Sequence, residues 1–308
     1  MKRRWIWAGL LFALAATYAP ARKPRPPEGT LTLDIADPLV TVTINHVTLR
    51  LRVAPDQKRL IELNRAAADR LGLPFEGGIT DQVGRETVAA IGIGGEAMIN
   101  RRPFPAQIIS HDRDCCQGAD GEIGMTLLPY AIVRFVRAGA PPGDRPLRRF
   151  LIEDSDERGP ETRLRIGSKD IFALFSLTRP QSVATWSAAV ILAGAQNGTL
   201  LPGAGPGIAA AFGVLRPTRT LALARPADIA GFSFTSLPVR IADFGGHYDL
   251  PADRQALPDD IMVMKRVPTQ DAWPAVLIGR DRLDRCTELR FDAIAKLLTL
   301  ACEPAPAP

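Results

Sequence analysis

Most side chains in this sequence with chemical potential fall in one run. His111-Asp112-Arg113-Asp114-Cys115-Cys116, with Asp120 and Glu122 close behind, sets an imidazole among carboxylates and thiols. Such a set can ligate a metal, but zinc sites use C-x-x-C or H-x-x-x-H spacings that are missing here. Arg113 offsets the acids, so the run reads as a solvated loop with no metal and no cofactor. For Cys115 and Cys116 three readings stay open: a vicinal disulfide, free thiols, or bonds to another chain. His46, His111 and His247 are the only histidines, which leaves few bases for a nucleophilic triad. His46 falls at a hairpin turn, and Ser233 in Gly231-Phe232-Ser233-Phe234 lacks the second glycine of a nucleophile elbow. Gly92-Ile93-Gly94-Gly95 and Gly203-Ala204-Gly205-Pro206-Gly207 lack phosphate-loop spacing and read as turns or flap hairpins. Asn197-Gly198-Thr199 spells a glycosylation sequon, yet Asn-Gly is a strong turn signal and is read as one.

The other cysteines sit in a segment with a clear pattern. Phe291 and Leu297 flank a five-residue turn, Asp292 to Lys296. If they pair, the same register sets Leu289 opposite Thr299 and Cys286 opposite Cys302, which predicts a cross-strand disulfide.

What positions these residues is a β-rich, exported chain. Its 27 prolines and 26 glycines with only 6% aromatics favour short strands and turns over a helix bundle. The net charge of +5 includes Lys2, Arg3 and Arg4 in an N-terminal leader, and no basic stripe interleaved with aromatics follows, so no nucleic-acid partner is expected. Residues 1–21 read as a signal peptide: a basic start, an apolar run from Trp5 to Ala16, and Ala19-Pro20-Ala21 as cleavage site. The apolar run is short of the about 20 residues a spanning helix needs; an uncleaved anchor, the alternative, is the one expected membrane contact. Residues 22–29 form a Pro-rich spacer. A periplasmic or envelope location would let disulfides persist.

Strands are predicted from Leu31 to Val53, with a hairpin turn at Asn45-His46. Asn64 N-caps a short helix, Arg65 to Leu71, stopped by Gly72 and Pro74. A Gly-rich hairpin is expected around Ile91 to Gly95, and a last strand over Ala131 to Val136. Ala138 to Arg145 reads as a linker or surface turn. The second half repeats the first: Ile166 to Gly194 lies on Ile44 to Gly72 without gaps, pairing Ala66-Ala67 with Ala188-Ala189. Ile123-Gly124 matches Ile278-Gly279, and Leu128 matches Leu283.

Val276-Leu277-Ile278-Gly279-Arg280-Asp281-Arg282-Leu283 resembles the closing segment of retropepsin-like aspartic proteases, and Gly121 to Leu128 resembles its counterpart in the first lobe. The resemblance covers roughly residues 30 to 303. It implies an all-β, bilobal, pepsin-like fold of two related barrel-like lobes with short helices, the second helix around Ser187 to Ala193. The lobes would span 30–150 and 151–303, followed by a tail, 304–308, and would face each other across a peptide cleft. In that family each lobe contributes an Asp-Thr/Ser-Gly loop, whose two carboxylates share a proton. Here the positions matching the family's aspartates are Ala54 and Ser176, in Ala54-Pro55-Asp56 and Ser176-Leu177-Thr178. The expectation is therefore a pseudoenzyme without a catalytic dyad, holding an extended peptide or envelope protein in the cleft. The alternatives are an active endopeptidase using Asp56, two positions along, and a purely structural envelope module.

Overall fold

The computed structural model of the chain describes residues 26–83, 86–139, 146–155, 158–241 and 273–303. The expected leader, most of the linker, His247 and the tail lie outside these residues. Among the described residues no helix is long and apolar enough to cross a membrane. Both cysteine pairs, Cys115–Cys116 and Cys286–Cys302, are disulfide-bonded.

Alternating side chains set the strands. Leu39–Ile44 and Val47–Ala54 bury Val40, Val42, Ile44, Leu49, Leu51 and Val53. They are joined by Asn45 and His46 at φ 43° and 63°, the left-handed pair that a two-residue hairpin turn requires. These strands begin a seven-stranded sheet that runs on through Gly121–Gly124, Ile61–Leu63, Arg102–His111, Glu86–Ile99 and Glu76–Val83. Thr43 pairs with Met98 and Ile44 with Ala97, so the first six strands close into a barrel.

A nine-stranded sheet follows. In order it holds Glu153–Ser155, Gly159–Ile166, Lys169–Phe175, Ala275–Ile278, Val183–Ala184, Phe232–Arg240, Leu215–Ile229 and Gly198–Leu200, with Gly205–Ala209 also on Leu215–Ile229. A five-stranded sheet draws on both ends of the chain, in the order Thr30–Asp34, Ile132–Val136, Cys286–Asp292, Leu297–Cys302, Leu147–Leu151.

The two larger sheets share a central pattern. Val47–Ala54 lies parallel to Gly121–Gly124, which is antiparallel to Ile61–Leu63, which is parallel to Arg102–His111. Lys169–Phe175, Ala275–Ile278, Val183–Ala184 and Phe232–Arg240 repeat those directions. Val53 opposes Ile123 as Phe175 opposes Ile278, and Leu63 opposes Gly121 as Ala184 opposes Val276.

Several expectations need correcting. The ungapped repeat holds through the first hairpin but slips afterwards, because Leu63 corresponds to Ala184 and the intervening loop is one residue shorter in the second half. The buried helical alanines Ala188 and Ala189 thus match Ala67 and Ala68 rather than Ala66 and Ala67. Gly72 ends its helix at φ 57°, whereas Gly194 lies inside the longer helix Trp186–Gln196, which ends at left-handed Asn197. The Gly-rich run at 91–95 is no turn; it lies within the 14-residue strand Glu86–Ile99.

The last hairpin pairs Leu289 with Leu300 and Phe291 with Leu298, one residue off the expected register. Its apolar set decides this: Leu298, Leu300 and Cys302 are buried, and a one-residue slip would turn them outward. Asp292 accepts hydrogen bonds from the Ile294 and Ala295 amides and shortens the turn. A bulge between Cys286 and Glu288 then restores Cys286 opposite Cys302.

Candidate functional site

Two strand ends deliver the candidate loops to one place. Ala54 opposes Gly124, and the Ser176 amide donates to the Ile278 carbonyl at 2.9 Å. Both Ala54 and Ser176 are buried, at 1% and 0% exposure. The glycine ending each neighbouring strand lets its loop fold back closely. A Cβ on Gly124 would sit 2.0 Å from the Lys58 carbonyl oxygen, and one on Gly279 would sit 2.5 Å from the Gln181 carbonyl carbon. The paired apolar-apolar-glycine motifs therefore have a physical cause, which is backbone against backbone.

Neither buried position carries an acid, but Asp56 reaches across the junction. Its Oδ2 lies 3.8 Å from Arg179 Nε, with side-chain exposures of 11% and 18%. The Ser176 hydroxyl favours the ionised form of Asp56, and Ser176 Oγ lies 3.3 Å from Thr178 Oγ1. Burial pushes the Asp56 pKa up, opposed by the Arg179 charge and the Ser176 hydroxyl. Burial pulls the Arg179 pKa down, opposed by Asp56. Arg179 also donates to the Ala209 carbonyl. Among the described residues, Asp56 Oδ1 and Arg179 Nε are buried without hydrogen-bond partners.

Beside this pair, a polar row crosses the barrel. Arg52, Glu122 and Glu62 are direct partners on three adjacent strands, so they share a face. His111 sits two residues beyond Ile109, the partner of Glu62, and so on the same face. Its Nδ1 accepts from the Arg113 amide at 3.2 Å, which leaves Nε2 to donate to Glu62 Oε1 at 2.7 Å. Gln57 Nε2 donates to Glu62 Oε2 at 3.0 Å. Burial first, then the charges of Asp56 and Glu62, push the Glu122 pKa up to about 8. Phe212, from the second half, packs edge-on against His111 with ring centroids 5.2 Å apart.

Neither a protein-family model nor a curated protein matches the chain.

His111 thus leaves the expected solvated loop, being 2% exposed, while Asp112, Arg113 and Asp114 remain at the surface. Among the described residues no three His, Cys, Asp or Glu side chains are placed to hold a metal ion. Asn64 takes the N-cap position but makes no side-chain cap bond. Instead its Oδ1 accepts from the Cys115 and Cys116 amides at 3.0 and 3.3 Å, and its Nδ2 donates to the Cys116 and Ala119 carbonyls. Glu62, Gln57 and Arg179 carried no motif in the sequence. Only the repeat pointed near them, since Gln57 and Arg179 stand at matching distances after Val53 and Phe175.

An acid facing a guanidinium and a hydroxyl is an ion pair, not a pair of carboxyls sharing a proton. Such a junction can bind and orient a polar group. The shared-proton dyad of the resembled family uses one acid from each loop, and of the two loops here only Ala54-Pro55-Asp56 carries one.

Proposed function

We propose that the chain is an exported, pepsin- and retropepsin-like protein that binds an extended peptide or envelope partner and does not cleave it. The observation that carries this reading is that Asp56, the acid of the first loop, meets Arg179 of the second half rather than a second carboxyl. Among the described residues, Asp56 Oδ1 is an acceptor without a hydrogen-bond partner, which suits a ligand N–H. A place for strand addition supports the same reading. An open groove of about 470 Å³ is lined by Arg59, Gly94, Gly95, Pro105 and Gln107 among others. Along it, strand Glu86–Ile99 pairs with Glu76–Val83 only as far as Gly92 and with Leu39–Ile44 only from Ala97. Among the described strands, one edge of residues 93–96 is therefore free, and its glycines let another backbone approach. The two disulfides and the expected leader favour export.

The competing reading, an endopeptidase acting through Asp56, gains from that residue's reach into the junction. Mixing the protein with a library of unfolded peptides distinguishes them. The binding reading expects saturable anisotropy changes, slowed amide exchange over residues 93–96, and peptides recovered intact. Absence of any saturable binder, or acid-dependent cleavage blocked by pepstatin, overturns it.

A further inference from the structure

We propose that Cys115–Cys116 is a redox-active site that exchanges electrons with a dithiol, while Cys286–Cys302 is structural. The two bonds differ in what they close and where they lie. Cys286 and Cys302, 16 residues apart, are 0% and 1% exposed within a sheet. Cys115 and Cys116 are neighbours; Cys116 is 3% exposed, but Cys115 is only half-buried, in a loop at the surface. A bond between adjacent residues closes almost no chain, so it constrains the unfolded ensemble little and adds little resistance to reduction.

The surroundings favour the reduced form as well. Cys115 Sγ lies 3.4 Å from Asn64 Oδ1 and 3.8 Å from the Glu62 carbonyl oxygen. A disulfide sulfur has no proton to donate; after reduction the Cys115 S–H can donate to the Glu62 carbonyl, since Asn64 Oδ1 already accepts from two amides. The same Asn64 side chain holds the backbone of Cys115, Cys116 and Ala119 by four hydrogen bonds that do not depend on the disulfide. The loop is thus built to keep its place in both states.

The exchange balances in two steps. One thiolate of the dithiol attacks the accessible Cys115 Sγ; the S–S bond breaks and its electron pair leaves on Cys116 Sγ. The second thiolate attacks the mixed disulfide, releasing Cys115 as thiolate and the reductant as a disulfide. Two electrons pass to the protein, and two protons complete the thiols.

The test is to equilibrate the oxidised full chain in dithiothreitol buffers of graded redox ratio, alkylate, and map the label by mass spectrometry. Cys115 and Cys116 should label at a reduced-to-oxidised ratio at least about tenfold lower than Cys286 and Cys302. Circular dichroism should stay unchanged at that point, and the bond should re-form on return to oxidant. The C115S/C116S double variant should fold with an unchanged Tm and lose only the low-threshold labelling. Reduction of both pairs at one ratio, labelling of 115 and 116 only upon unfolding, or free thiols there in the air-oxidised protein would each overturn the proposal.

Discussion

The same face of the two halves carries opposite chemistry. In the first half, Arg52, Glu122 and Glu62 stand side by side on the strands flanking the Asp56 loop. Their counterparts by register in the second half are Leu174, Leu277 and Val183. Those three pack with Ala275 into a small apolar cluster backed by Phe172, Ile208 and Trp273. Where the first half has His111 bonded to Glu62, the second has Arg240, which with burial and against the pull of Asp56 lowers the Arg179 pKa. Backbone pattern, loop position and closing glycine are shared; side-chain chemistry is not. A symmetric acid pair needs both halves to make the same contribution. Here one half brings the acids and the other brings a guanidinium, two hydroxyls and an aromatic ring.

The comparison can be broken most severely by moving one residue of the polar row into the apolar one. Leu277→Glu would bury a carboxylate among Leu174, Val183 and Ala275 and should cost about 4 kcal/mol, read by urea denaturation. What the halves share is tested next. Gly124→Ala and Gly279→Ala each force a Cβ into a backbone carbonyl group, and each should cost about 3 kcal/mol. A large loss from one and none from the other would deny their equivalence. Arg179→Gln removes the charge facing Asp56 and should cost about 2 kcal/mol, while carboxyl carbon NMR should show the Asp56 pKa rising further.

The smallest effect concerns Glu122. Its folded pKa, about 8, stands above the ordinary 4.5, so between those values the folded state holds a proton that the unfolded state has released. Stability from this group is full below 4.5 and is lost as pH rises through 8. Glu122→Gln should flatten the decline of Tm across that window, a smaller change than those above because Glu122 is only partly buried. An unchanged slope would count against a buried proton on Glu122.

Much of the fold was legible because it rests on local signals. Alternation set the strands, Asn45-His46 the turn, and the apolar-glycine pairs the closing elements. The Cys286–Cys302 pairing came out right although the hairpin register was one residue off, because the bulge after Cys286 offset the shorter turn. Neither the bulge nor the turn is written in alternation. The slip in the repeat had a similar origin, since a one-residue deletion in a loop leaves short apolar strands looking aligned. Loop positions carrying Ala54 and Ser176 were readable from the same repeat.

The site itself was less legible, because its contacts are long-range and carry no spacing signature. His111 meets Glu62 across 49 residues, and Asp56 meets Arg179 across the two halves. Read alone, His111 to Cys116 is a polar run. The pairing of His111 with Ala90 shows that the strand continues to it, and the pairing of Ile109 with Glu62 puts its ring on the Glu62 side. Asn64 misled for a related reason. It occupies the helix N-cap, but a loop more than 50 residues away takes its side chain.

The central claim is that the Asp56–Arg179 junction holds a ligand and does not hydrolyse it. The direct measurement is a side-by-side cleavage assay of wild-type protein and Asp56→Asn on an unfolded substrate from acidic to neutral pH. The account predicts identical traces at the level of the buffer blank. Turnover by the wild type that disappears in Asp56→Asn would contradict it.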